Sequence, residues 1–201
     1  MGLDRVRDKI TVCSLYDPDQ GINKVLRFVE LKDGVVCYRP NYLDLVEELV
    51  FDMECAETLC AFNSASFDLP FLQVAFGLNP EFIQRCILKS FDVLDIARRG
   101  FKRTFSLNLA LDLNGWPQDN LKTGDGLGAV IQAREGRFED LEEYCRQNSI
   151  LTHSLSSLPV IMCPESYQWR RDHGNRSFDP NRVLKIDRTK WPNISFRFEA
   201  M

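Results

Sequence analysis

The residues best suited to chemistry lie in two short stretches of the chain. The first reads Asn63-Ser-Ala-Ser-Phe67-Asp68-Leu-Pro-Phe-Leu and sets a single carboxylate between apolar residues, soon after an apolar run. The second reads Tyr144-Cys-Arg-Gln-Asn148 and is followed closely by Ile, Leu and Thr. Because a charge beside a core is costly unless it is compensated, Asp68 is expected to face an ionic partner or a metal.

Each candidate residue also has an ordinary structural explanation. Asp68 can cap the helix that follows it, because Asp is common at helix starts. Tyr144 can be a core-facing aromatic residue on an amphipathic helix, and Asn148 can lack any role as a ligand. Asp92 and Asp95 are interpreted as a helix cap and a surface acid rather than as metal ligands.

A basic cluster lies between these two stretches. Arg98, Arg99, Lys102 and Arg103 accompany two phenylalanines in this part of the chain. Basic side chains beside aromatic rings are typical of surfaces that bind single-stranded nucleic acid, and a solvated helix end explains the cluster equally well. The net charge of the whole chain is −4, so any nucleic-acid contact must be local rather than a matter of bulk charge.

The elements that position these residues follow from the spacing of apolar residues. Lys9–Tyr16 and Asn23–Leu31 favour a pair of antiparallel strands joined by a turn. Asn41–Cys55 repeats apolar residues at helical spacing, with its first residue as the expected cap. A short strand over residues 58–62 then leads into a predicted helix over Phe67–Phe76.

The second half of the chain is predominantly helical in its spacing. Ile87–Val93 favours one more short strand, and helices are predicted over 92–99, 106–113, 126–134 and 139–155. Strands first, then alternating strands and helices, indicate an α/β domain with a small mixed sheet over residues 1–158. Residues 159–201 hold eight basic and five acidic residues and are expected to form a polar, mildly basic tail.

Cysteine usage and hydropathy limit the setting. The seven cysteines are scattered, with no Cys-x-x-Cys spacing, which disfavours a zinc site and is typical of an intracellular, reducing environment. No apolar run approaches the length that a membrane-spanning helix needs. No membrane partner is therefore expected.

The order of these stretches resembles the DEDD 3′–5′ exonucleases of the ribonuclease H-like fold, in the branch whose last motif contains a tyrosine. The resemblance covers roughly Asp4 to Leu155. It implies a mixed sheet flanked by helices, with Asp68 as a metal ligand and Tyr144 as the residue that orients the attacking water. The residues that it and the basic cluster mark for nucleic-acid contact are Asn63, Phe67, Arg99 and Lys102.

The resembling enzymes hydrolyse phosphodiester bonds with two divalent metals held by four carboxylates. The implied cofactor is Mg²⁺ or Mn²⁺, and the implied partner is single-stranded DNA or RNA. This sequence departs from the pattern, because Asn148 stands in place of the last Asp and would be a weak metal ligand. The Asp-x-Glu of the first motif is absent.

These departures shape the expected function. We expect the chain to begin just after the first motif, so that the first, central strand is missing and the metal site needs an upstream segment. The expected activity is that of an exonuclease-like domain that is impaired or inactive. The alternatives are a non-catalytic nucleic-acid-binding or protein-interaction module on the same fold, or a chain with no selected function.

Overall fold

The computed structural model describes residues 9–101, 104–117, 119, 126–164 and 183–192. The described residues combine helices with small sheets, which confirms the predicted α/β class. The chain divides into two compact units. Within the described residues, the first unit comprises 9–59, 65–90 and 126–150, and the second comprises 60–64, 91–101, 104–117, 119, 151–164 and 183–192.

In the described residues, four strands come first, helices dominate the middle with two short strands between them, and two more strands follow the last helix. The strands are β1 (Val12–Asp17), β2 (Ile22–Arg27), β3 (Val29–Lys32), β4 (Val35–Tyr38), β5 (Leu59–Ala61), β6 (Ser90–Asp92), β7 (Val160–Pro164) and β8 (Val183–Asp187). The helices are α1 (Tyr42–Cys55), α2 (Asp68–Phe76), α3 (Pro80–Leu88), α4 (Val93–Phe101), α5 (Leu107–Leu113), α6 (Gly126–Arg134) and α7 (Phe138–Ser156).

The first four strands form two antiparallel pairs in the first unit. The predicted pairing of β1 with β2 is confirmed, and Gly21 supplies the positive φ of +65° that the turn between them uses. The single long strand predicted over Asn23–Leu31 is wrong, because Phe28 separates β2 from β3. Phe28 is fully buried and bonds to residues beside both strand pairs, since its N–H donates to the Thr11 carbonyl at 2.9 Å and its carbonyl accepts the Arg39 N–H at 2.8 Å.

The core of the first unit lies beneath α1. Val46, Leu49 and Met53 recur at helical spacing, so one side of this helix is buried. They belong to the same buried cluster as Phe28 and, from α3, Phe82. Burying a side chain such as Leu49 contributes about 1.5–3 kcal/mol to folding, which explains why the periodicity predicted this helix well.

The helix starts in the first unit differ from those expected. Asn41 occupies the N-cap position of α1, as predicted, but its side chain makes no capping hydrogen bond. Asn79 is a true cap, since its side-chain oxygen accepts the Glu81 N–H at 2.7 Å at the start of α3. α3 was not predicted, although Asn79 followed by Pro80 is a recognised helix-start signal.

The second unit has its own core, to which the end of the chain contributes. β7 and β8 pair antiparallel, with Ile161 opposite Ile186, and both residues are fully buried. They pack in one cluster with Leu111 of α5 and Leu155 of α7. These strands lie in the segment expected to be a polar tail, and in the described residues that expectation is wrong for 160–164 and 183–187.

The sheets are small. The described residues form four two-stranded sheets, which pair β1 with β2, β3 with β4, β5 with β6 and β7 with β8. Between β5 and β6 the chain forms α2 and α3. The predicted single mixed sheet of a ribonuclease H-like domain, with a missing central strand, stays a prediction. Among the described helices, none is both long and apolar enough to cross a membrane.

Candidate functional site

The loop that follows β5 carries the first predicted contact residue, Asn63. Its φ is +75°, a left-handed conformation that asparagine tolerates better than most residues. The backbone N–H of Asn63 donates to Oδ1 of Asp92 at 2.8 Å. The conformation of the loop is therefore held by a side chain from the end of β6.

Asp92 is the most deeply buried acid described, with 2% of its surface exposed. Its Oδ1 also accepts the N–H of Asp95 at 3.0 Å, which is the bond of a helix N-cap. The predicted role of Asp92 as a helix cap is confirmed. One carboxylate oxygen thus binds both the first turn of α4 and the loop at Asn63.

Two arginines at the end of α4 point to different neighbours. Nη2 of Arg98 donates to the side-chain oxygen of Asn63 at 2.8 Å, so a cation lies beside the loop. Arg99 is 67% exposed and pairs with Asp95 at 2.7 Å. The side chain of Asp95 is 15% exposed, so its interpretation as a surface acid is wrong. Lys102, the remaining predicted contact, lies outside the described residues.

Asp68 is the first residue of α2, in the first unit. The N-cap position belongs to Phe67, whose ring centroid lies 6.0 Å from that of Phe71. The interpretation of Asp68 as the N-cap residue is therefore wrong. Asp68 is exposed in the first turn of the helix, where the positive end of the helix dipole stabilises a carboxylate.

The Cys13 thiol of β1 lies within electrostatic range of Asp68. Burial raises the pKa of the Cys13 thiol on β1, and the charges of Asp68 and Cys145 raise it further. The start of α2 and the middle of α7 thus both lie within electrostatic reach of β1. A thiol with a raised pKa stays protonated at neutral pH and is a poor ligand for a hard cation.

The middle of α7 carries the other two predicted site residues. Tyr144 and Asn148 are four residues apart, so they lie on the same side of the helix one turn apart. Both are half-buried. Oδ1 of Asn148 is buried and has no hydrogen-bond partner among the described residues. Such an unpaired acceptor costs about 1–3 kcal/mol.

A polar network fixes α7 against the first strand pair, and sequence reasoning missed it. Ser149 lies 3.0 Å from Ser14 of β1, hydroxyl to hydroxyl, and accepts from the amide of Asn23 of β2 at 3.0 Å. That amide also donates to the carbonyl of Arg146 at 3.1 Å. No motif marks these residues, because single serines and asparagines on strands are common in any protein.

The predicted metal ligands, Asp68 and Asn148, do not fit the two-metal site that the resemblance implies. Mg²⁺ and Mn²⁺ sites of that kind require several carboxylates to offset the metal charge. Asp68 is the one carboxylate among the predicted ligands, and Asn148 offers a neutral amide. Among the described residues, no group of three or more His, Cys, Asp or Glu side chains is arranged to hold a metal ion.

The described contacts therefore assemble two separate groups. In the second unit, Asp92 joins Asn63, Arg98 and the start of α4. In the first unit, the charges of Asp68 and Cys145 lie within electrostatic range of the Cys13 thiol and raise its pKa. The first group is a hydrogen-bonded loop with the Arg98 guanidinium beside it. The second group consists of the Asp68 carboxylate and the thiols of Cys13 and Cys145.

No protein-family model, curated protein or solved structure matches the chain. The function must therefore be argued from the residues and their contacts.

Proposed function

We propose that this chain carries a ribonuclease H-like domain of the DEDD exonuclease type that binds single-stranded nucleic acid. We propose further that it hydrolyses this ligand weakly or not at all. The support is the resemblance of residues 63–72 and 144–148 to that family, together with the geometry around Asn63. The ligand class is single-stranded DNA or RNA.

The main support for the proposal is the loop at Asn63, whose backbone is held in place by a hydrogen bond to Asp92. A buried carboxylate, Asp92, holds the backbone of this residue at 2.8 Å in a positive-φ conformation. Arg98 adds a guanidinium to the same loop through a 2.8 Å bond. A loop that is already ordered pays little entropy on binding, and an arginine beside it suits a phosphate ligand.

Weak hydrolysis is expected because of the metal ligands that the chain offers, not because of the loop at Asn63. A two-metal centre supplies several kcal/mol of transition-state stabilisation because charged ligands hold both metals. Asp68 provides one such ligand, and the amide of Asn148 carries no charge. Each 1.4 kcal/mol of lost stabilisation lowers the rate about tenfold, so an incomplete ligand set leaves little activity.

Fluorescence anisotropy with labelled single-stranded oligonucleotides tests the binding. The measurement compares DNA, RNA and duplex DNA without added metal, over a range of salt concentrations. We expect single strands to bind more tightly than the duplex, with affinity that falls as salt increases. The variant Arg98→Ala should weaken binding about fivefold to tenfold, or roughly 1–1.4 kcal/mol, because it removes the cation from the loop.

Arg137→Ala is the matched control. Arg137 is half-exposed and pairs with Glu135 and Asp140, between α6 and α7. The Arg137→Ala variant removes one positive charge, as Arg98→Ala does, but from a different surface. Its affinity for single strands should therefore stay within twofold of wild type. Equal losses in both variants, or no binding of any single strand at low salt, would contradict the proposal.

A further inference from the structure

One side of α1 is exposed along the whole helix and combines apolar with acidic side chains. Leu43 is 57% and Phe51 is 65% exposed, although both are large and apolar. At 100° per residue they share an arc of about 100° with three exposed acids. This surface, called the α1 face, consists of Leu43, Asp44, Glu47, Phe51 and Glu54.

A cavity lies at the C-terminal end of the α1 face. Its volume is about 370 Å³, and Glu54 is one of the residues that line it. Two buried residues of α3, Phe82 and Cys86, give it an apolar lining. Arg85 and Lys89 also line it, and Arg85 pairs with Glu54 at 2.8 Å. The lining therefore combines apolar side chains, which could receive one anchoring side chain of a partner, with an acid and two cations.

The α1 face carries uncompensated negative charge. The helix contains no lysine or arginine. Glu48, beside the face, pairs with Lys24 at 3.0 Å, and Glu54 pairs with Arg85. Within the described residues, Asp44 and Glu47 form no ion pair. Acids that surround two exposed apolar residues favour a partner that brings both cations and apolar surface.

We propose that the α1 face binds a basic, amphipathic segment of a partner protein. Its lysines or arginines would lie against Asp44 and Glu47, and its apolar residues against Leu43 and Phe51. A large apolar side chain of the partner would enter the cavity beside Glu54. The helix is 14 residues long, which spans about 21 Å and suits a helical or extended segment of similar length.

The charge of the face excludes other occupants. A second copy related by twofold symmetry would bring the same acids face to face, which repel. Nucleic acid and anionic membranes would meet Asp44 and Glu47 with like charge. The proposal is thus independent of the nucleic-acid binding proposed above, which uses the loop at Asn63.

Synthetic peptide libraries test the proposal directly. One library places tryptophan or leucine among lysines and arginines at helical spacing, and a matched library replaces the basic residues with glutamate. Binding to the full chain is followed by fluorescence anisotropy. We expect members of the basic library to bind, with affinity that weakens as salt increases, and no binding from the acidic library.

Two variants of the face and two controls locate the binding. Phe51→Ser removes an apolar contact and Glu47→Lys reverses a charge, and each should weaken basic-peptide binding about tenfold or more. Leu127→Ser changes a residue of α6 that is 60% exposed, and Asp19→Lys changes an exposed turn acid. Both controls should bind like wild type. Because the four positions are exposed, each variant is expected to fold. The melting temperature of each variant checks this.

Three results would overturn the proposal. The first is binding of the acidic library as tightly as the basic one. The second is wild-type peptide affinity in folded Phe51→Ser and Glu47→Lys. The third is a concentration-dependent dimer, detected by sedimentation, that Phe51→Ser abolishes, because the occupant would then be a second copy of the chain. If one face variant fails to fold, the other carries the test.

Discussion

Replacing Asp92 by alanine should destabilise the chain far more than the loss of a single exposed acid. The buried Oδ1 of Asp92 accepts two backbone N–H groups, from Asn63 at 2.8 Å and from Asp95 at 3.0 Å. Alanine offers no acceptor, so both donors lose their partner inside the second unit. The Asn63 donor costs about 1–3 kcal/mol when it is left unpaired, and the lost cap costs about 0.5–2 kcal/mol.

The expected loss is therefore about 2–4 kcal/mol, since removing the carboxylate also ends its own burial cost. Urea unfolding followed by circular dichroism measures it. With a slope of about 2 kcal/mol per molar, the midpoint should fall by roughly 1–2 M. Asp92→Asn keeps an oxygen acceptor but loses the charge, so it should lose about half as much.

Asp19→Ala serves as the control, because Asp19 is exposed in the turn between β1 and β2. Its unfolding free energy should change by less than about 0.5 kcal/mol. The reasoning is refuted if Asp92→Ala unfolds within that margin of the Asp19 variant. It is also refuted if Asp92→Ala is destabilised but binds single-stranded oligonucleotides as tightly as wild type, because the loop at Asn63 would then not matter for binding.

Three further predictions concern other contacts. Asn148→Asp should destabilise the metal-free chain at neutral pH, because it places a charge where an unpaired acceptor is already buried. Urea unfolding of this variant beside wild type at neutral pH measures the loss. Lys89→Met should cost about 1–2 kcal/mol in urea unfolding, because its ammonium donates to two carbonyls at the end of α1, at 2.9 and 2.7 Å. The hydrogen bond that the Lys24 ammonium donates to the Asp52 carboxylate raises the pKa of Lys24 above its usual 10.5. Its contribution to stability is therefore complete below that value and is lost as pH rises through the higher folded pKa. Wild type should lose more stability than Lys24→Met between about pH 9 and about pH 12.

The elements with strong periodicity were predictable from the sequence. α1 ends where it was expected to, at Cys55, because Val46, Leu49 and Met53 repeat at helical spacing on its buried side. α2 was predicted over Phe67–Phe76 and begins one residue later. Burial of a regular stripe dominates the energy of such helices, so local spacing is sufficient to find them.

The end of the chain was mispredicted because its apolar residues come in two short groups. β7 and β8 have five residues each, and prolines and charges surround them. Each strand is stable through its pairing with the other and through the burial of Ile161 and Ile186 in the second core. Contacts between residues that are distant in sequence leave no periodic signal in either segment alone.

The candidate site was predictable in part. Asp92 was recognised as a helix cap, which the structure confirms, whereas the roles predicted for Asn63, Phe67 and Asp68 stay predictions. The second bond of Asp92, to the loop at Asn63, was not foreseen, because the two residues are 29 positions apart. A hydrogen bond at that separation depends on how β5 and β6 pair, which residue types alone do not specify.

The central claim is that the chain binds a single strand without hydrolysing it efficiently, and one reaction tests both halves. A 5′-labelled single-stranded oligonucleotide is incubated with the full chain and Mn²⁺, and the same samples are run on native and denaturing gels. We predict a shifted complex whose oligonucleotide keeps its full length, in wild type and in Asp68→Ala alike. Stepwise shortening from the 3′ end that requires the metal and disappears in Asp68→Ala would contradict the account.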